Sequence, residues 1–182
     1  MKKFFSYVIM SLMALCFAMP TMGATEAEAA KVAVVPLQMN VKSDYDAGQC
    51  AMLYSDACVK YFQYPAFDLV DSELVRQAVA NQTDLFSEAG MRAVADATGA
   101  DIVLAMSVTR FDVEERRQQR EETMYVDQYG RIAVFNKITN KYKNDSWRND
   151  NEMEIGFITR SDFPHDEFGR AVKRVIKSAV KA

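Results

Sequence analysis

The chain of 182 residues carries 22 lysines and arginines against 25 aspartates and glutamates, a formal net charge of −3. There is no basic excess, which argues against nucleic acid or an anionic membrane surface as a partner. Apolar residues make up 49% of the chain, enough for a sizeable core, and one histidine with three cysteines gives little material for a metal centre.

Lys2 and Lys3 precede an uncharged, mostly apolar run at residues 4–18, and Pro20 and a series of small residues follow. This order is that of a secretory signal peptide. The run is shorter than the roughly 20 apolar residues of a membrane-spanning helix. Cleavage is expected between Gly23 and Ala30. Residues 1–29 are therefore assigned to the leader and residues 30–182 to a single exported domain, periplasmic or otherwise associated with the cell envelope. Leu15 stands before Cys16 where a lipobox takes a small residue, so no lipid anchor is expected. No second long apolar segment follows, so no transmembrane helix is expected in the mature chain.

"KVAVVPL", residues 31–37, is a β-branched run that predicts a buried first strand. Residues 44–62 place Leu53, Tyr54, Ala57, Cys58 and Tyr61 at helical spacing, with Pro65 beyond the end. Cys50 and Cys58 on that helix would sit about 12 Å apart, too far for a disulfide, and are expected as buried thiols. "FDLVD", residues 67–71, predicts a second strand, with Asp71 or Ser72 capping a helix to about Ala80. Ser87 can cap the next helix, and Gly99 suits the left-handed residue that closes one. "ADIVLAMSVTRF" then predicts a third strand. The alternation is that of an α/β sheet.

Beyond it, "DQYG", residues 127–130, predicts a tight turn between two strands, with Gly130 at a positive-φ position. Residues 131–142 predict the strand after that turn, 140–152 a polar loop, and 153–159 a further strand. The last helix is marked by Pro164 in its first turn, acids at its start and bases toward its end. Its apolar stripe runs through Phe168, Ala171, Val172, Val175, Ile176, Ala179 and Val180. The expected fold is α/β (α+β), one domain with a mixed β-sheet and flanking helices, β-α-β-α-α-β followed by antiparallel strands and a C-terminal helix.

"DVEERRQQREE", residues 112–122, is too charged for a core and predicts an outward continuation of the third strand, an exposed hairpin tip or projecting edge. It is either a solvated protrusion or a contact surface for a protein partner, the latter through Arg116, Arg117 and Arg120. Tyr142 and Trp147 are the second candidate contact: they can stack on a glycan or peptide, or simply cover the core. Asp145, Asp150, Asn151 and Glu152 lack the order and glycine of an EF-hand.

Four pieces in this order carry a family resemblance: "KVAVVPL", "FDLVD", "ATGADIVLAMSV" with Gly99, Ala100 and Asp101, and "YVDQYGRI" with Asp127 and Gly130. Together they resemble the α/β domain shared by the curli-secretion-channel lipoproteins, the penicillin-binding-protein-activator lipoproteins and the amino-terminal domain of TolB. The resemblance implies an envelope accessory or assembly factor rather than an enzyme, with envelope proteins as partners and a homo-oligomer as one possible state. Met106 or Ser107 stands where the family often has glycine. A membrane pore is not expected, because neither face of residues 112–122 is apolar.

Metalloprotease, nucleophile-elbow, dinucleotide and phosphate-loop signatures are all missing. His165 is read as a surface or capping residue. The sequence thus predicts no catalytic residues, no cofactor and no metal. It predicts an exported protein that binds protein partners, or alternatively a periplasmic module for peptidoglycan, glycan or another small ligand.

Overall fold

The computed structural model describes residues 28–41, 43–118, 121–154 and 162–180. Nearly all of the expected leader, Arg120, and the expected strand beyond Glu154 lie outside them. The elements run β1 (Ala30–Val34), β2 (Gln38–Met39), α1 (Asp44–Tyr61), β3 (Phe67–Leu69), α2 (Ser72–Ala80), α3 (Glu88–Thr98), β4 (Ile102–Gln118), β5 (Glu121–Asn136), β6 (Lys141–Glu154) and α4 (Phe163–Val180). They form one six-stranded mixed sheet in the order β3-β1-β4-β5-β6, with β2 paired to β4 further along the same edge as β1. β1 lies parallel to β3 and β4, whereas β4, β5 and β6 are antiparallel.

Helix boundaries follow the capping chemistry. Ser43 Oγ accepts from Asp46 N at 3.2 Å, Asp71 Oδ1 from Glu73 N at 2.8 Å, and Ser87 Oγ from Gly90 N at 3.1 Å. α3 ends at Gly99 with φ +67°. Alternation along the strands then builds two cores. Val32, Ile102, Leu104, Met106 and Val108 pack under α1 and α4, with Phe168, Val172 and Ile176 from the latter. Ala33, Val35, Val103, Ala105 and Phe135 face α2 and α3, which contribute Val75, Met91 and Val94. The domain is thus a helix–sheet–helix sandwich. Cys50 and Cys58 are buried free thiols on α1, and burial pushes both up to about 12.

The turn expected at "DQYG" does not form. Residues 127–130 lie inside β5, paired to β4 on one side and β6 on the other. Gly130 is needed for room: a Cβ there would sit 1.9 Å from Ser107 O and 2.8 Å from Trp147 Nε1. The actual β5–β6 turn is at residues 137–140, where Thr139 N donates to Asn136 Oδ1 at 3.0 Å and Asn140 takes φ +50°. The segment expected as a polar loop, 140–152, is therefore most of β6.

Opposite Gly130 the register slips by one residue between Val108 and Arg110, a β-bulge at Thr109. Before the bulge, the even residues of β4 face α1 and α4. After it, Phe111 stands opposite the buried Gln128 and packs against Phe168, with ring centroids 6.3 Å apart. The bulge thus keeps an aromatic, rather than Arg110, beneath α4.

Candidate functional site: the projecting three-stranded ribbon

β4 has 17 residues and β5 has 16, each roughly 55 Å of extended chain. β1 and β2 accompany β4 only as far as Val108, where Asn40 N donates to Val108 O at 3.1 Å. Beyond that point, residues 110–118, 121–129 and 147–154 continue as a three-stranded ribbon. The α4 side of this ribbon is lined by Phe111, Met124, Val126 and Gln128, with Phe163 against Met124 and Val126. Among the described residues, no helix packs on the opposite side, which we call the outer face.

Pairing sorts the outer face into transverse rows: Arg110–Tyr129–Arg148, then Asp112–Asp127–Asp150, then Glu114–Tyr125–Glu152, then Arg116–Thr123–Glu154. Three aspartates abreast would repel one another. The arginine row beside them answers this: Arg110 Nη1 lies 3.0 Å from Asp127 Oδ2, and Arg148 Nε lies 3.1 Å from Asp127 Oδ1. Each carboxylate oxygen takes one guanidinium, and the Asp127 side chain is only 12% exposed beneath them. Asp127 in turn holds the Arg148 guanidinium above its ordinary range, with Asp150 adding to the effect. At the far end Arg116 is raised by its hydrogen bonds to Glu114, 2.8 Å at Nη2, and its guanidinium lies 4.2 Å from the Tyr125 ring centre. Thr123 Oγ1 donates to Glu152 at 2.7 Å, and Tyr129 OH to Ser146 at 3.1 Å. The face is polar and cross-linked, with more carboxylates than guanidiniums.

Of the residues singled out from the sequence, Arg116 lies on this face. The Arg117 backbone pairs with Glu122, one step further along β4. Tyr142 and Trp147 are not brought together with them. Tyr142 is half-buried, its hydroxyl donating to Phe86 O beside Asn144. Trp147 is 6% exposed in the core, 6.1 Å from Phe168. His165 is not a surface residue: its side chain is 13% exposed, with Nε2 3.0 Å from Asp46 Oδ1 and its ring stacked on Phe111. It ties the start of α4 to the start of α1. Arg110, Tyr125, Asp127 and Arg148 were missed. Alternation in "YVDQY" and "SWRND" is the signal that contained the last three, hidden by reading both stretches as turn and loop, whereas Arg110 lay at the end of the expected third strand. A separate groove of about 360 Å³ at the ends of β1 and β3 is lined by Leu37, Tyr54, Cys58 and Val59, and not by Tyr142, Trp147 or His165.

No protein-family model matches the chain, and no curated protein does. The structure is similar to the hypothetical protein CT253 of Chlamydia trachomatis, at 14% identity and a TM-score of 0.45, covering 84% of this chain and 94% of that one. It is similar to lipoprotein GNA1162 of Neisseria meningitidis, at 16% identity and 0.41, covering 84% and 99%. It is also similar to the C-terminal domain of LpoB from Escherichia coli, at 15% identity and 0.38, covering 72% and 88%. No helix among the described residues is long and apolar enough to cross a membrane.

Proposed function

We propose that this protein is an exported, noncatalytic accessory factor of the cell envelope that binds protein partners through the outer face of the projecting ribbon. The observation that carries the reading is the ribbon itself. A domain that needed only its sandwich core would end β4 near Val108. Here the strand runs ten residues further, to Gln118, and organises charge across three strands with no helix among the described residues to cover it. Rigid, preordered charge favours recognition, because little side-chain freedom remains to be lost on binding. The glycan alternative would draw on Tyr142 and Trp147, and both are engaged within the fold.

The test is site-specific photocrosslinking in intact cells. Crosslinkers at Glu114 and Glu152 on the outer face should capture envelope proteins, and one at the exposed Asn81 on the far side of the sandwich should not. Equal capture from all three positions, or none from the ribbon, would overturn the assignment.

A further inference from the structure

We propose that the free edge of β6, together with the basic flank of α4, is a seat for an extended peptide strand carrying acidic residues at alternate positions. β6 ends the sheet order, and among the described residues no strand pairs with its outer edge. Every second residue of an edge strand turns its N–H and C=O away from the sheet, which is a template for strand addition. Beside this edge lies an open groove of about 630 Å³, walled by Asn149, Asp150 and Asn151 of β6 and by Arg170, Lys173 and Arg174 of α4.

The wall is fixed in place. Gln128, fully buried, donates from Nε2 to Pro164 O at 2.8 Å; Asn149 Nδ2 donates to Gln128 Oε1 at 3.2 Å; Arg174 donates to Asn149 Oδ1. This chain locks α4 against the last strand, so its basic side chains stand along the edge without prior rearrangement. Arg170 covers the buried carboxylate of Glu167. Lys173 and, one turn further, Lys177 pair with no carboxylate among the described residues. They are open charges on a helix side that overlooks an open strand edge.

The spacing defines the occupant. A strand added to β6 would lie about 4.8 Å beyond it and present side chains toward α4 at every second position, roughly 6.6 Å apart. Positions one turn apart on α4 recur at about 5.4 Å. Carboxylates at alternate positions of the guest therefore meet Arg170, Lys173 and Arg174, and Lys177 in succession. The edge of β4 beyond Val108 has no such basic helix beside it among the described residues. The seat is distinct from the outer ribbon face, so either proposal can fail alone.

The experiment uses a labelled synthetic peptide in which Glu alternates with Thr and Val, and measures its binding to the exported domain by fluorescence anisotropy. Hydrogen exchange of the complex should show new protection in β6 and none along residues 110–118. The double charge reversal Lys173→Glu/Lys177→Glu breaks no ion pair among the described residues and should weaken binding by about tenfold or more, with less loss at high salt. N-methylation of alternate peptide amides should abolish binding in one phase and spare it in the other, because a guest strand donates to its host from every second residue. Equal binding in both phases, protection outside β6, or indifference to the charge reversal would each overturn the proposal. So would failure of the unmodified peptide to bind.

Discussion

Substituting Gly130 distinguishes crowding from turn geometry. In a turn with positive φ, Gly→Asn would be better tolerated than Gly→Ala, since asparagine adopts left-handed backbone more readily. Inside β5 the order reverses. An added Cβ meets Ser107 O at 1.9 Å, and that atom is backbone in the neighbouring strand, so the strands themselves must separate. The second contact, 2.8 Å from Trp147 Nε1, presses on a core side chain. Overpacking of this kind sits at or above the upper end of about 1–3 kcal/mol. For a domain of this size, 3 kcal/mol corresponds to a fall in Tm of roughly 6–12 °C. Asparagine, larger and polar, should cost more than alanine. Gly99 is the internal control. It has φ +67° and nothing within 4 Å of a Cβ, so Gly99→Asn should be milder than Gly99→Ala, which should cost about 1 kcal/mol. Urea and thermal unfolding of the four variants measure this. If Gly130→Asn proved as stable as Gly99→Asn, the cross-strand crowding argument would fail.

Cys50 and Cys58 should resist alkylation in the folded protein and react on unfolding without reductant; a Cys50–Cys58 disulfide in mass spectra would contradict α1 as a continuous helix. Both thiols are raised from 9.0 to about 12 in the fold, so the unfolded chain loses these protons first as pH rises, and the stability held below pH 9 should decline between 9 and 12. A Cys50→Ala/Cys58→Ala variant should show a shallower alkaline decline in urea titrations. Replacing residues 116–123 with Asn-Gly should keep the circular dichroism of the sandwich and cost within about 1 kcal/mol, since the exchange is confined to the ribbon tip; global unfolding would show that the tip is integral to the sheet. Intact-mass analysis of envelope protein should find an amino terminus between Ala24 and Lys31, and a full-length or acylated chain would overturn the leader assignment.

Local chemistry was legible where the physics is local. Asp71, Ser87 and Gly99 act within a few residues of themselves, and the helix limits they set agree with the fold. The stripe of α4 was equally readable, because period and partner face coincide. Gly130 was misread because its cause is not local: Ser107 and Trp147 crowd it from two other strands. The polar stretch in β6 was misread for a related reason. Alternation marks a strand when one face is apolar, and outside Trp147 and Met153 the ribbon part of β6 is polar on both sides. Hydrogen bonding to β5 supplies what side-chain burial does not. β2, two residues long, carries no periodicity to detect. Asp127 became interesting only when Arg110 and Arg148, 17 and 21 residues away, closed over it.

The bulge at Thr109 divides β4 into two frames with opposite parity. Point substitutions leave that offset untouched, but a change of length does not. Loss of Thr109 would leave Val108 and Arg110 opposite Gly130 and Tyr129 in unbroken alternation, with Phe111 still beneath α4, whereas loss of one residue beyond Phe111 has no bulge to absorb it and would invert the strand from there on. The joint is therefore a place where the strand can drop a residue and keep everything downstream in phase, which the regular stretches on either side of it cannot do. Relatives that lack the extra residue should carry the opposite polar phase beyond it, and an alignment that ignores this would pair buried positions with exposed ones along the entire ribbon.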